Sequence, residues 1–218
     1  MIRVAIFDLD NTLVDRQAAF ERFAVQFAER HGLQTEGARW LIEADRDGLA
    51  ERPYLFERAR SHFGLADPLD ELVAAYYPEY LSHFAPDEAV QVALERLKGA
   101  EWRVAVATNG PSTQRLKINA AGLTPWLDAI CISGELGFAK PDRRIFAAAV
   151  AAVGGGKEAL GRAWMVGDMP AADIQGAHRA GMRAAWLHRG RRWEEPDYAP
   201  DAIVASVPDA VELLLADG

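Results

Sequence analysis

The chain has 218 residues, half of them apolar and 26% charged, which suits a folded protein with a full core and room for a sizeable insertion and excludes a disordered chain. Its formal net charge of −8 argues against a nucleic acid polymer or an anionic membrane as partner, because both need a basic surface. A single cysteine, Cys131, rules out an intrachain disulfide, and the absence of a charged leader or of an apolar run near the ~20 residues that span a bilayer makes a cytoplasmic location the default expectation.

Residues 2–7 form an apolar run short enough for a buried strand, and Asp8, Asp10, Asn11 and Thr12 follow at its tip. A strand-to-loop turn alone would account for Asp and Asn here. Unpaired buried carboxylates are costly, however, so two of them at one strand end point to a cation that neutralises them. Mg²⁺ fits, since it takes hard oxygen ligands, usually one or two protein carboxylates, and leaves its other positions to water and phosphate.

Residues 15–84 carry helical stripes and no strand pattern: Phe20, Phe23, Ala24 and Phe27 make one stripe, and Leu69, Leu72, Val73 and Tyr76 another. Gly32, Gly48, Pro53, Gly64, Pro68 and Pro78 divide the region into about four short helices. Val90, Ala93, Leu94 and Leu97 then mark a further helix, with Gly99 as its stop.

From there strands and helices alternate. The run 104–107 is followed by Thr108-Asn109-Gly110, with Pro111-Ser112 expected to open a helix whose N–H groups suit an anion. The run 129–132 holds Cys131, read as a buried structural thiol. Lys140, in 137–142, precedes a helix containing Ile145, Phe146 and Val150; a lysine at that positive end calls for a nearby anion, and the chain has only four lysines against twenty arginines.

Gly154-Gly155-Gly156-Lys157 lacks the hydroxyl residue and upstream glycine of a phosphate loop and reads as a turn. The run 164–166 delivers Gly167-Asp168, with Asp173 five residues on and Gly181 ending the helix between. Strands are also expected at 184–187 and 203–205, separated by the polar, Arg- and Pro-rich loop 189–200, which follows a strand and so can border a site. This alternation predicts an α/β fold: a Rossmann-like parallel sheet with helices on both faces, its ligand beyond the carboxyl ends of the strands. The core comprises 1–14 and 85–218, and 15–84 is an inserted helical domain.

Asp8-Leu9-Asp10-Asn11-Thr12, Thr108, Lys140, and Gly167-Asp168 through Asp173 together resemble, in order and spacing, the four motifs of the haloacid dehalogenase superfamily, and the helical insert resembles the alpha-helical cap of its subfamily I. The resemblance implies a phosphatase in which Asp8 is the nucleophile, forming an aspartyl-phosphate, and Asp10 the general acid and base. Thr108, Asn109 and Lys140 would bind the phosphoryl group. Mg²⁺ would be held by Asp8, the backbone carbonyl of Asp10 and Asp168, while Asp173 either orients the site or only caps its helix.

The resemblance also narrows the alternatives. Asp10 argues against a dehalogenase, which needs no metal-held phosphate, and the absence of lysine from 15–84 argues against a Schiff-base phosphonate hydrolase. A sugar phosphomutase shares the core motifs, and a non-catalytic phospho-ligand-binding module would be expected to lose Asp8 or Asp10. Asn11 leans toward relatives acting on nucleoside monophosphates and sugar-acid phosphates. The expected partner is a small phosphorylated metabolite, the protein being a monomer or homodimer. His31, Trp40, Arg46 and Arg52 of the cap are packing or solvated residues first and leaving-group contacts second, and hinges are expected near 14–16 and 85–87.

Overall fold

The computed structural model describes residues 2–217. In chain order the elements are β1 (Arg3–Phe7), α1 (Arg16–Arg30), α2 (Gln34–Asp45), α3 (Arg52–Phe63), α4 (Leu69–Leu81), α5 (Glu88–Gly99), β2 (Trp102–Thr108), α6 (Gln114–Ala120), β3 (Ala129–Ile132), α7 (Ser133–Leu136), α8 (Arg143–Ala152), α9 (Lys157–Leu160), β4 (Trp164–Gly167), a π-helical turn (Pro170–Gln175), α10 (Gly176–Arg179), β5 (Arg183–Leu187), β6 (Ala202–Val204) and α11 (Val207–Asp217). The strands form one sheet in the order β3-β2-β1-β4-β5-β6. Every pairing is parallel, with Phe7 opposite Val106 on one side and Val166 on the other.

Near-continuous apolar runs in β1, β2 and β4 follow from burial on both faces. On one face Val4, Ile6, Ala105, Ala107, Met165 and Ala184 pack with Ile145, Phe146, Ala149 and Val150 of α8. The other is covered by α5, which meets β2, and α11, which meets β5 and β6; the buried stripes Val90, Ala93, Leu94, Leu97 and Val207, Ala210, Val211, Leu214 explain why these helices lie flat on the sheet. Each fully buried Leu, Ile, Val or Phe stabilises the core by roughly 1.5–3 kcal/mol relative to exposure.

The chain separates into two compact units, one comprising residues up to Val14 together with Pro86 onward, the other Asp15–Ala85. The second unit is α1 to α4 around an aromatic core. Phe20, Phe23 and Phe27 meet Phe56, Tyr76 and Tyr80, with Phe23 and Tyr76 at right angles and 5.0 Å between ring centroids. Asp15 caps α1 by accepting from Ala18 N at 3.0 Å. Inside this unit buried Asp45 takes hydrogen bonds from both Arg16 and Arg52, the latter at 2.6 Å.

Two local expectations differ from what is observed. Gly99 is the last residue of α5, and the left-handed step falls at Glu101, with φ of 62°. Pro111-Ser112 do not open α6: Gln114, Arg115 and Leu116 donate to carbonyls three residues back, so the chain enters the helix through tight turns and its first regular residue is Gln114.

Candidate active site

The carboxyl ends of β1, β2 and β4 bring together most of the residues singled out by sequence. Asp8 follows β1 and is 6% exposed; its N–H donates to Val166 O at 2.9 Å, which continues the pairing with β4 and fixes where the carboxylate emerges. Asn11 takes φ of 62°, a left-handed conformation that Asn tolerates better than most residues, and Asn11 N to Val14 O (2.7 Å) and Val14 N to Leu9 O (3.0 Å) close the loop that carries Asp10.

Lys140 Nζ lies 2.5 Å from Asp8 Oδ1 and 2.8 Å from Asp173 Oδ1, all three side chains being buried. Its backbone is gripped by Asn109, whose Oδ1 accepts from Lys140 N (2.8 Å) and whose Nδ2 donates to Lys140 O (2.9 Å). Both polar atoms of the Asn109 side chain are thereby engaged in joining the β2 end to the Lys140 segment. Burial disfavours the Lys140 charge, but the Asp173 and Asp8 carboxylates outweigh it and hold its pKa above the ordinary lysine value. Burial pushes the Asp8 carboxyl up to about 8 against the opposing pull of Lys140, with Asp173 and Asp10 adding to the rise.

Gly167 and Gly176 explain how Asp173 gets there. A Cβ on Gly167 would stand 2.7 Å from Asp173 Cβ, and one on Gly176 would stand 3.0 Å from Pro141 Cα and equally near the Phe146 ring. The missing side chains let the π-helical turn press against β4 and against the start of α8. There Asp173 Oδ2 accepts from Met169 N at 2.9 Å, so Asp173 both caps its turn and faces Lys140. Asp168, 1% exposed, accepts from Arg191 Nη2 at Oδ2 (3.0 Å), and its carbonyl accepts from Trp186 Nε1 (2.9 Å) and Arg191 (2.6 Å).

Carboxylate oxygens of Asp8, Asp168 and Asp173 lie within 4.8 Å of one another. An all-oxygen donor set without Cys or His fits a hard divalent cation such as Mg²⁺. Thr108, at the end of β2, is 1% exposed and accepts at Oγ1 from Gln114 Nε2 (2.8 Å).

Gln114, Lys117 and Arg191 were not singled out by sequence. Gln114 Nε2 also reaches Asp10 Oδ2 at 2.9 Å, and Lys117 Nζ meets both Asp10 oxygens at 2.8 and 2.7 Å. The available signal was their three-residue spacing, which puts both on one helical face just after Thr108, together with the scarcity of lysine. In the helical unit Arg52 pairs with Asp45, Trp40 stacks on His62 at 4.9 Å, His31 packs on Phe27 at 4.3 Å, and Arg46 takes a left-handed φ of 52° after α2.

The model of the family described as haloacid dehalogenase-like hydrolase matches residues 2–181. Phosphoserine phosphatase of Thermus thermophilus is 38% identical over 174 residues, which is 79% of this chain; the chain spans 63% of that relative's length. Glyceraldehyde 3-phosphate phosphatase of Pyrococcus furiosus is 29% identical over 227 residues, covering 98% of this chain and 93% of that protein. Among solved structures, a putative beta-phosphoglucomutase from Thermotoga maritima has the same fold, with a TM-score of 0.77 at 18% identity over 99% of each chain.

Proposed function

The chain belongs to the haloacid dehalogenase-like hydrolases, and on that footing we propose that this phosphoric monoester hydrolase removes phosphate from a small phosphorylated metabolite through an aspartyl-phosphate on Asp8. The observation that carries the reading is the contact of Lys140 Nζ with Asp8 Oδ1 at 2.5 Å inside a buried carboxylate cluster. It places a fixed cation beside the one carboxylate that ends the central strand β1, where a phosphoryl group would gain from both.

In the first step an Asp8 carboxylate oxygen bonds to phosphorus while the ester P–O bond breaks. The electron pair goes to the leaving oxygen, which takes a proton from Asp10. In the second, water attacks the aspartyl-phosphate, Asp10 takes the water proton, and inorganic phosphate leaves with Asp8 restored. Lys140 and the Thr108 hydroxyl would bind the phosphoryl oxygens, and Asn109 would serve them through its backbone N–H, its side chain being engaged with Lys140. Asp8, the Asp10 carbonyl and Asp168 would hold Mg²⁺, with Asp173 supporting Lys140. Bound there, Mg²⁺ would offset the charge of the carboxylates and of the phosphoryl oxygens.

The relatives named above support phosphoserine and glyceraldehyde 3-phosphate as the first substrates to try. Phosphate release is measured from these, from nucleoside monophosphates and from sugar phosphates, with Mg²⁺ and with chelator, for the wild-type protein and Asp8→Asn. Release that requires both Mg²⁺ and Asp8 supports the reading; turnover that survives Asp8→Asn sinks it, and transfer between sugar positions without release makes the protein a mutase.

A further inference from the structure

We propose that Gln114 and Lys117 are positioning residues for Asp10, fixing the plane of its carboxyl group and coupling it to Thr108; the proposal rests on the phosphatase reading above. Both come from one face of α6. Lys117 Nζ spans the two Asp10 oxygens at 2.8 and 2.7 Å, and Gln114 Nε2 reaches Oδ2 at 2.9 Å. Oδ2 thus receives two donors and Oδ1 one, which leaves Oδ1 the freer oxygen to face a leaving group.

The orientation of the Gln114 amide follows from its neighbours. Asp10 Oδ2 and the Asn109 carbonyl, at 2.9 and 3.4 Å, are acceptors, so the nitrogen and not the oxygen must face them. The same nitrogen donates to Thr108 Oγ1 at 2.8 Å. Thr108 is then an acceptor toward Gln114 and keeps its own hydroxyl proton to give elsewhere, which is what a phosphoryl oxygen needs. One amide therefore ties the hydroxyl that would hold the phosphoryl group to the carboxyl that would serve the leaving oxygen.

The surroundings are built for this side chain. Gln114 is 2% exposed, and Gly110 has φ of 149° with an imagined Cβ only 3.0 to 3.3 Å from Gln114 Cγ, Cδ and Nε2. A side chain at 110 would press on Gln114 from a backbone conformation that L residues rarely adopt. Asp10 itself stands on a loop with its side chain 26% exposed, where the torsion that sets the carboxyl plane is broad and an acid that must meet one oxygen gains from being held.

A residue that merely pins α6 to the loop would affect all substrates alike, whereas a residue that aims Asp10 matters most when the leaving oxygen needs a proton. The test is kcat/KM, which reports the first chemical step, for 4-nitrophenyl, phenyl and benzyl phosphate and for any metabolites that turn over. It is run with wild type, Lys117→Met, Lys117→Arg, Gln114→Met and, as reference, Asp10→Asn. Lys117→Met and Gln114→Met are expected to lose about tenfold or more on benzyl phosphate and less than about threefold on 4-nitrophenyl phosphate, following the pattern of Asp10→Asn, with Lys117→Arg restoring much of the loss. Equal losses on every ester overturn the proposal and leave the phosphatase reading standing. A wild-type protein silent on all esters and metabolites overturns both. If melting curves show that Gln114→Met does not fold, the partly exposed Lys117 decides the matter alone.

Discussion

Asn109 and Lys140, 31 positions apart, are joined by a reciprocal pair of hydrogen bonds in which the Asn109 side chain behaves like a neighbouring strand toward the Lys140 backbone. The pair fixes how far the Lys140 ammonium projects toward Asp8. Asn109→Ala removes both bonds and leaves the Lys140 amide and carbonyl without them. The expected cost is about 1–3 kcal/mol in urea unfolding, and the proposed role of Lys140 at the phosphoryl group adds a fall in kcat larger than any rise in KM. Full activity in this variant would show that Lys140 is placed by other contacts.

Lys140 is the shared counter-charge of Asp8 and Asp173. Lys140→Met is expected to destabilise the metal-free protein by about 3–5 kcal/mol, since it leaves two buried carboxylates facing each other. Adding Asp173→Asn removes one of them and is expected to recover part of that loss but no activity. Additive losses in the double variant would mean that the two side chains are energetically independent, contrary to their 2.8 Å contact.

The strands were legible in the sequence because each is a short apolar run ended by a polar or glycine residue, and the observed β1, β2, β4, β5 and β6 differ from the runs by one or two residues at their ends. The positions of Asp8, Thr108, Lys140 and Asp168 could be expected from the same pattern, as each follows or closes a strand or precedes a helix. Gln114, Lys117 and Arg191 had only weak signals there, a shared helical face and a loop after a strand, because their relevance lies in contacts made across the site from α6 and from the loop after β5. Nor could the need for glycine at 167, which depends on where a side chain six residues later comes to rest.

Gly167→Ala turns that dependence into a measurement. The new methyl would overlap the Asp173 side chain, so either Asp173 leaves Lys140 or β4 shifts from its place beside β1. The expected outcome is a loss of about 1–3 kcal/mol in stability and of most activity. Gly156→Ala is the control: its φ of −94° is ordinary and nothing stands within 4 Å of its added Cβ, so a change within about 0.5 kcal/mol is expected. Equal melting temperatures for wild type and Gly167→Ala would refute the packing argument.

Asp128 gives the pH dependence of stability a defined source away from the cluster of Asp8, Asp168 and Asp173. Its Oδ2 accepts from Val104 N at 2.8 Å, at the start of the β2 and β3 pairing, and its Oδ1 from Lys98 Nζ at 2.7 Å. Burial raises its carboxyl pKa, but the Lys98 and Val104 hydrogen bonds and the charges of Lys98 and Arg103 outweigh that and hold it below the ordinary value of 3.8. A depressed folded-state value means that the contribution is complete above the unfolded value and is lost as pH falls through the folded one. Stability should therefore fall below about pH 4 more steeply in the wild type than in Asp128→Asn, which has no proton to take up there. Urea midpoints measured from pH 6 down to pH 3 would show the two curves converging; parallel curves would mean that the Asp128 contacts contribute equally in its protonated form.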